Sequence, residues 1–142
     1  MSIAIPRPAA TVILIRDHGE GGVETYLIRR HQRSGFLGGA HVFPGGKVDD
    51  ADAAQSLISR IDLPPGPLPD GEGGATFRAA AIRETFEECG VLLSSGPAPA
   101  GIAESSGRDL ARALAEPDLR LAGDALVHVA RWVTPEAEPR RY

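Results

Sequence analysis

The stretch Ala81–Leu93, AIRETFEECGVLL, carries three glutamates within five positions, Glu84, Glu87 and Glu88, with Arg83 just ahead and Gly90 just behind. An α-helix turns about 100° per residue, so the three carboxylates fall within an arc of roughly 100° on one face. The opposite face carries Ala79, Ile82, Phe86 and Cys89, an apolar stripe at helical spacing. Gly90 suits the position after the last turn, because glycine enters the left-handed conformation without steric cost. The spacing therefore predicts an amphipathic helix of about four turns that starts near Thr76 and ends at Gly90. A short apolar strand, Val91-Leu92-Leu93, is expected to follow.

A solvated acidic face is the plain alternative for any such helix. Like charges at i, i+3 and i+4 repel, however, and surface helices usually relieve this with Lys or Arg on the same face. Here the neighbours on that face are Phe77, Ala80 and Ala81, with only Arg83 at the flank. Such a cluster is costly unless a cation neutralises it. Three carboxylates on a rigid element suit Mg²⁺ or Mn²⁺, which prefer oxygen ligands.

Composition narrows the surroundings of that helix. With 142 residues there is room for one domain with a proper core. Hydrophobic residues make up 42% and charged residues 24%, the balance of an ordinary globular domain. A formal charge of −4 leaves no basic footprint for nucleic acid or an anionic membrane. Cys89 is the only cysteine, so no intrachain disulfide forms, and a core thiol fits a reducing compartment. The apolar runs are too short to span a bilayer, and the first residues lack the layout of a signal peptide. A cytoplasmic protein is expected.

Along the chain the pattern is mixed α/β. ATVILIR (Ala10–Arg16) reads as a buried strand, and VETYLIRR (Val23–Arg30) as a second, joined by the turn DHGEGG into a hairpin. A glycine-rich passage then ends in Phe43-Pro44-Gly45-Gly46. DDADAAQSLISRI follows as a short helix with aspartates able to cap it. Residues 62–74 are rich in Pro and Gly and hold no regular element. GRDLARALA looks helical, and ALVHVARWV (Ala125–Val133) reads as a strand before Pro135 and Pro139. If Gly45-Gly46 meets the acidic helix in space, its carbonyls join the carboxylates around one metal.

At this point the chain resembles the Nudix hydrolases. Their box reads Gly, five residues, Glu, seven residues, then Arg-Glu-apolar-x-Glu-Glu-x-Gly-apolar. Arg83, Glu84, Glu87, Glu88, Gly90 and Val91 match its second half, with Thr85 where an aliphatic residue is usual, and Phe43–Gly46 matches the FPGG that commonly opens it. The departure lies between the halves. Asp52 stands where the family has Glu, and residues 53–82 separate it from Arg83, where seven residues are usual. An interrupted box of this kind resembles the subgroup that includes peroxisomal coenzyme A diphosphatases. Leu27, Arg30 and Gly39 fit that subgroup's coenzyme A signature, and Gly35 stands where it has an arginine.

The resemblance implies a single domain over 1–142, a Nudix-type α/β/α sandwich with a mixed sheet, in which 53–82 holds an insert. It implies hydrolysis of a diphosphate linkage in a small-molecule nucleotide conjugate, most of all coenzyme A or its thioesters. ADP-ribose or an oxidised nucleotide is the alternative substrate, and a non-catalytic ligand-sensing module the alternative class. Mg²⁺ or Mn²⁺ would be held by Glu84, Glu87, Glu88 and the Gly46 carbonyl. Arg83 would orient Glu87, so that Arg83, Glu84, Glu87 and Glu88 form the catalytic set. Arg30, Arg33 and His41 are candidate phosphate contacts, with a solvated strand exit and a hydrogen-bonded structural histidine as the plainer readings. Trp132 is expected to pack in the core at a strand end. Leu63–Gly74 is expected to pack poorly, away from the helix's core face, and to be removable together with the rest of the insert. Further strands and a closing helix usually follow the box, so the fold is expected to be incomplete at the C-terminus, or completed by a homodimer through exchange.

Overall fold

The acidic segment forms a helix, and it is the element against which the rest of the core is packed. The computed structural model describes residues 3–32, 38–69, 71–98, 102, 109–138 and 140–142. In chain order the elements are β1 (Ala9–Thr11), β2 (Ile15–Asp17), β3 (Val23–Thr25), β4 (Ile28–Arg29), β5 (His41–Val42), β6 (Gly45–Lys47), α1 (Gln55–Ile58), α2 (Gly74–Cys89) and α3 (Leu110–Ala113). Short 3₁₀ turns at Asp50–Ala53 and Gly71–Gly73 precede α1 and α2. Gly90 ends α2 in the left-handed conformation, φ 75°, and its N–H donates to the Phe86 carbonyl at 2.8 Å.

Helix α2 is buried on more than its apolar stripe. Ala79, Ile82 and Phe86 join Ile61, Leu110, Ala113, Leu119 and Leu121 in one core cluster. Ala80 and Ala81, which helical spacing puts beside the glutamates, are buried too. The reason is that α2 packs against β1 and β6 as well as against α1 and α3. On the acidic side Glu84 is therefore half-buried against Gly46 of β6, while Glu87 and Glu88 remain exposed. Cys89, expected within the core, is only half-buried at the helix end.

The strands are shorter than their hydrophobic runs. The first run splits into β1 and β2, and the second into β3 and β4. β2 and β3 form the expected hairpin, with Arg16 opposite Glu24. β1 pairs antiparallel with β6, Ala10 opposite Gly46, and β4 pairs with β5, Arg29 opposite His41. Two single bridges to Leu121, parallel from Ile61 and antiparallel from Ser94, give the pairing its mixed character. Val91–Leu93 forms no strand. Nor does Ala125–Val133, because no described strand lies alongside it. Val127, Val129 and Trp132 are 82, 78 and 79% exposed, so the expected core packing of Trp132 is overturned.

The insert is also less passive than expected. Ile61 is buried in the core, and Leu57 and Ile58 pack against it. Arg60 donates to the carbonyls of Leu119 and Glu116, tying this segment to the 116–121 loop. Within 63–74, Leu63, Gly66 and Pro67 are exposed as foreseen. Leu68 is not, since its side chain fills the space where a Cβ on the buried Gly74 would stand.

Candidate active site

Strand β6 and helix α2 meet at the site. Pro44 is buried, and its carbonyl accepts the Val12 N–H at 2.9 Å, which pins the FPGG passage to the strand edge. Gly45 and Gly46 are required by close approach. A Cβ on Gly45 would strike the Ala10 carbonyl, and one on Gly46 would strike the Glu84 carboxylate. The Gly45 N–H donates to Glu88 Oε2 at 2.9 Å. The two landmarks that lie far apart in sequence thus touch in space.

Arg83 organises the carboxylates. Its Nε donates to Asp52 Oδ1 at 2.8 Å and its Nη2 to Asp52 Oδ2 at 3.0 Å, a bidentate pair on a carboxylate that is 0% exposed. Nη2 also donates to the Lys47 carbonyl at 2.9 Å. Nη1 reaches Glu84 Oε1 at 3.1 Å and Glu87 Oε2 at 3.0 Å. The hydrogen bond to Asp52 pushes the guanidinium's pKa far above its ordinary value, outweighing burial, with the charges of Asp52, Glu84 and Glu87 adding to it. Arg83 is a permanent cation.

Glu84 is the strained member of the set. Burial pushes its carboxyl above the usual range, Arg83 pulls it down, and the charges of Glu88 and Glu87 push it up again. One arginine shared among several carboxylates leaves this one under-compensated. Oxygen-only donors, like charge in excess and a glycine that clears the space beside Glu84 are what a hard divalent cation fits. Glu84, Glu88 and the Gly46 backbone are the groups that would hold it. Glu87, expected as a further ligand, shares Arg83 Nη1 with Glu84, and among the described residues no three acidic, histidine or cysteine side chains converge into a ready-made metal cluster.

A cleft of about 860 Å³ opens over Glu84, Glu88 and Gly46, and Arg30 and His41 line it as well. His41 is exposed in the cleft wall and not buried as a structural histidine would be. Arg33 lies outside the described residues. Arg29, Lys47 and Arg140 also line the cleft. Arg140 had no signal in the sequence, because a dibasic tail carries no spacing rule. Asp52 was legible only as a count of six from Gly46, and its role as the chief partner of Arg83 emerges from the geometry.

The NUDIX domain family profile matches residues 5–141. The chain belongs to the Nudix family. Among individual proteins it is similar to the acyl-coenzyme A diphosphatase NUDT19 of Gallus gallus, 36% identical over a 118-residue alignment that covers 57% of this chain. The Homo sapiens protein of the same name is 35% identical over 111 residues, covering 56% of this chain. Each alignment spans only 30% of the relative's own length. Among solved structures, a NUDIX hydrolase from Alicyclobacillus acidocaldarius superposes with a TM-score of 0.80 at 27% identity, covering 99% of this chain and 67% of that one. The fold is the Nudix fold.

Proposed function

We propose that this domain hydrolyses a diphosphate linkage in a nucleoside diphosphate conjugate, coenzyme A or its thioesters in particular, with Mg²⁺ or Mn²⁺. The observation that carries the reading is the convergence of Glu84 and Glu88 on Gly45-Gly46 at the floor of a cleft walled by Arg30 and His41. The names of the NUDT19 relatives support the choice of substrate.

The chain's own residues divide the work by charge. A diphosphate is an anionic electrophile, so cationic and donor groups must neutralise it while water attacks phosphorus. Arg30 and His41 lie on the wall that a diphosphate would meet, and suit the binding of phosphate oxygens. Glu84 and Glu88 present hard oxygen ligands from the floor. A bound divalent ion supplies charge neutralisation and a lowered water pKa. Arg83 binds no substrate in this scheme; it holds Glu84 and Glu87 at fixed distances from β6.

The test is a screen of coenzyme A, acyl-coenzyme A, ADP-ribose and oxidised nucleoside diphosphates with Mg²⁺ or Mn²⁺. Release of a phosphorylated half-product from coenzyme A or its thioester is expected, and Glu88→Gln should abolish it while leaving the protein folded. Turnover confined to ADP-ribose would move the substrate assignment. No turnover of any of them by folded protein would refute hydrolysis and leave a ligand-binding module.

A further inference from the structure

Attack of water on phosphorus sheds a proton, and a positioned group must take it. Few groups in the cleft can. Arg29, Arg30 and Arg140 line it, but a guanidinium stays protonated and accepts nothing. Lys47 and Tyr142 line it too; an ammonium has no lone pair to offer, and a phenol is a base only well above neutral pH. Glu88 already accepts the Gly45 N–H at 2.9 Å and Glu84 accepts from Arg83 at 3.1 Å, and both are the oxygen ligands assigned to the divalent ion. Glu87 is held by Arg83 and does not line the cleft.

Two imidazoles complete the lining, His31 and His41. His31 is not free. The exposed ring of His41, by contrast, makes no hydrogen bond or ion pair among the described residues. Its backbone is nonetheless fixed. His41 sits opposite Arg29 in the β4–β5 ladder, the Arg30 N–H donates to the Ala40 carbonyl at 2.9 Å, and the Gly39 N–H donates to the Arg30 carbonyl at 3.1 Å. Buried Pro44 then carries the chain on into Gly45 and Gly46. His41 and Gly46 are five positions apart, at most about 18 Å of extended chain. They line the same cleft.

We infer that His41 is the general base of the hydrolysis, an assignment that rests on the diphosphohydrolase reading of the cleft. A neutral imidazole has one N–H donor and one bare nitrogen. The N–H holds a phosphate oxygen, while the bare nitrogen takes a proton from water. As that proton moves, the water oxygen bonds to phosphorus. The bridging P–O bond breaks, and its electron pair leaves with the departing phosphate. Two phosphate monoesters result, and the imidazolium returns its proton to solvent. An imidazole suits the task because such a ring ordinarily titrates close to neutral pH, where a base is both strong enough and unprotonated enough to act. A purely cationic phosphate contact is better made by arginine, which the same wall already supplies in Arg29, Arg30 and Arg140.

Turnover of coenzyme A and of ADP-ribose with Mg²⁺ is measured for the wild type, His41→Ala, His41→Lys and His18→Ala, each checked for fold by circular dichroism. His41→Ala should lose about 100-fold or more in kcat, the usual worth of a general base, with KM raised only a few-fold. Added imidazole should restore kcat, and the restoration should grow with pH as more of the imidazole is neutral. A lost cationic contact would respond the other way, to the imidazolium that prevails in acid. His41→Lys keeps a cation but no base, and should hold KM near the wild-type value with kcat still low. His18→Ala, in the exposed turn after β2, should change neither. If His41→Ala does not fold, His41→Gln takes its place, with the same loss confined to kcat expected. Full kcat in a folded His41 variant, or rescue that grows as pH falls, overturns the assignment of the base alone. Absence of turnover by the wild type refutes the diphosphohydrolase reading and the assignment with it.

Discussion

Asp52 and Arg83 lie 31 positions apart and are joined by two hydrogen bonds of 2.8 and 3.0 Å, Nε to Oδ1 and Nη2 to Oδ2. In the family's uninterrupted box the corresponding residues are eight positions apart, with seven residues between them. Here a whole segment is looped out, and the pair still closes. The site is therefore defined by what meets Arg83 and not by the spacing that brings it there.

Removing the carboxylate from this pair leaves a largely buried guanidinium without its chief partner. Asp52→Ala is expected to lower stability by about 3–5 kcal/mol, the usual result of breaking one side of a buried pair. Urea unfolding measures it. A loss well under 1 kcal/mol would mean that Arg83 finds full compensation from Glu84, Glu87 and the Lys47 carbonyl.

Glu84 makes a prediction about pH. Its folded-state carboxyl lies above the ordinary value, so the folded protein holds this proton more tightly than the unfolded chain does. The stabilisation is complete below the ordinary carboxyl value of the unfolded chain and is lost as pH rises through the elevated folded-state value. Wild type minus Glu84→Gln, followed by thermal unfolding from acid to neutral pH without metal, isolates this slope. Stability of the wild type relative to the variant should fall as pH rises, and adding Mg²⁺ at neutral pH should recover it. A relative stability that rises with pH would place Glu84 in a compensated environment.

Glu87 is held by Arg83 at 3.0 Å. Glu87→Gln keeps the shape and removes a charge, and should cost about 10–100-fold in divalent-ion affinity or turnover, the usual size of effect for groups around a metal. Mn²⁺ titration followed by electron paramagnetic resonance reads the affinity directly. Full activity in a folded Glu87→Gln protein would remove Glu87 from the site.

The insert divides into a dispensable part and a structural part. Trimming the exposed residues around Pro65–Pro67 is expected to change stability little. Ile61→Ala should cost about 2–5 kcal/mol, because Ile61 is 5% exposed and sits in the core cluster. Denaturant midpoints of the two variants compare them, and a fully tolerated Ile61→Ala would show that the segment folds independently of the core.

Trp132 is the only tryptophan, so intrinsic fluorescence reports on it alone. At 79% exposure it should emit as a solvated indole and be quenched freely by acrylamide. Shielded, blue-shifted emission would show that another surface covers the segment from Val127 to Val133.

The helix was legible because its signals agree: apolar spacing, glycine cap and the charge cluster all mark the same residues. The meeting of Gly46 with Glu84 was legible only through resemblance, since contact between distant segments leaves no periodic trace. The strand expected at Ala125–Val133 failed for a related reason. Alternating Val127 and Val129 satisfy strand propensity, but propensity does not supply a neighbouring ladder. Asp52 was visible as a departure from the family's glutamate, while its burial and bidentate bond depend on the 3₁₀ turn at Asp50–Ala53 and its placement against α2. The basic tail had no pattern at all, and only its folding back onto Ala4 and Arg7 gives it a place.

The looped-out segment also has a thermodynamic meaning. Closing a chain costs entropy that grows only with the logarithm of its length, about 0.6 kcal/mol for each doubling. Opening the gap between Asp52 and Arg83 from seven residues to thirty is roughly two doublings, or about 1.2 kcal/mol. Packing Ile61 into the core repays more than that. An insertion at this point is thus nearly neutral for the fold from the moment it acquires one well-buried side chain, which leaves evolution free to vary its length while the chemistry stays put. A search that reads the motif by fixed spacing would pass over this chain, and one that reads pairs in space would find it.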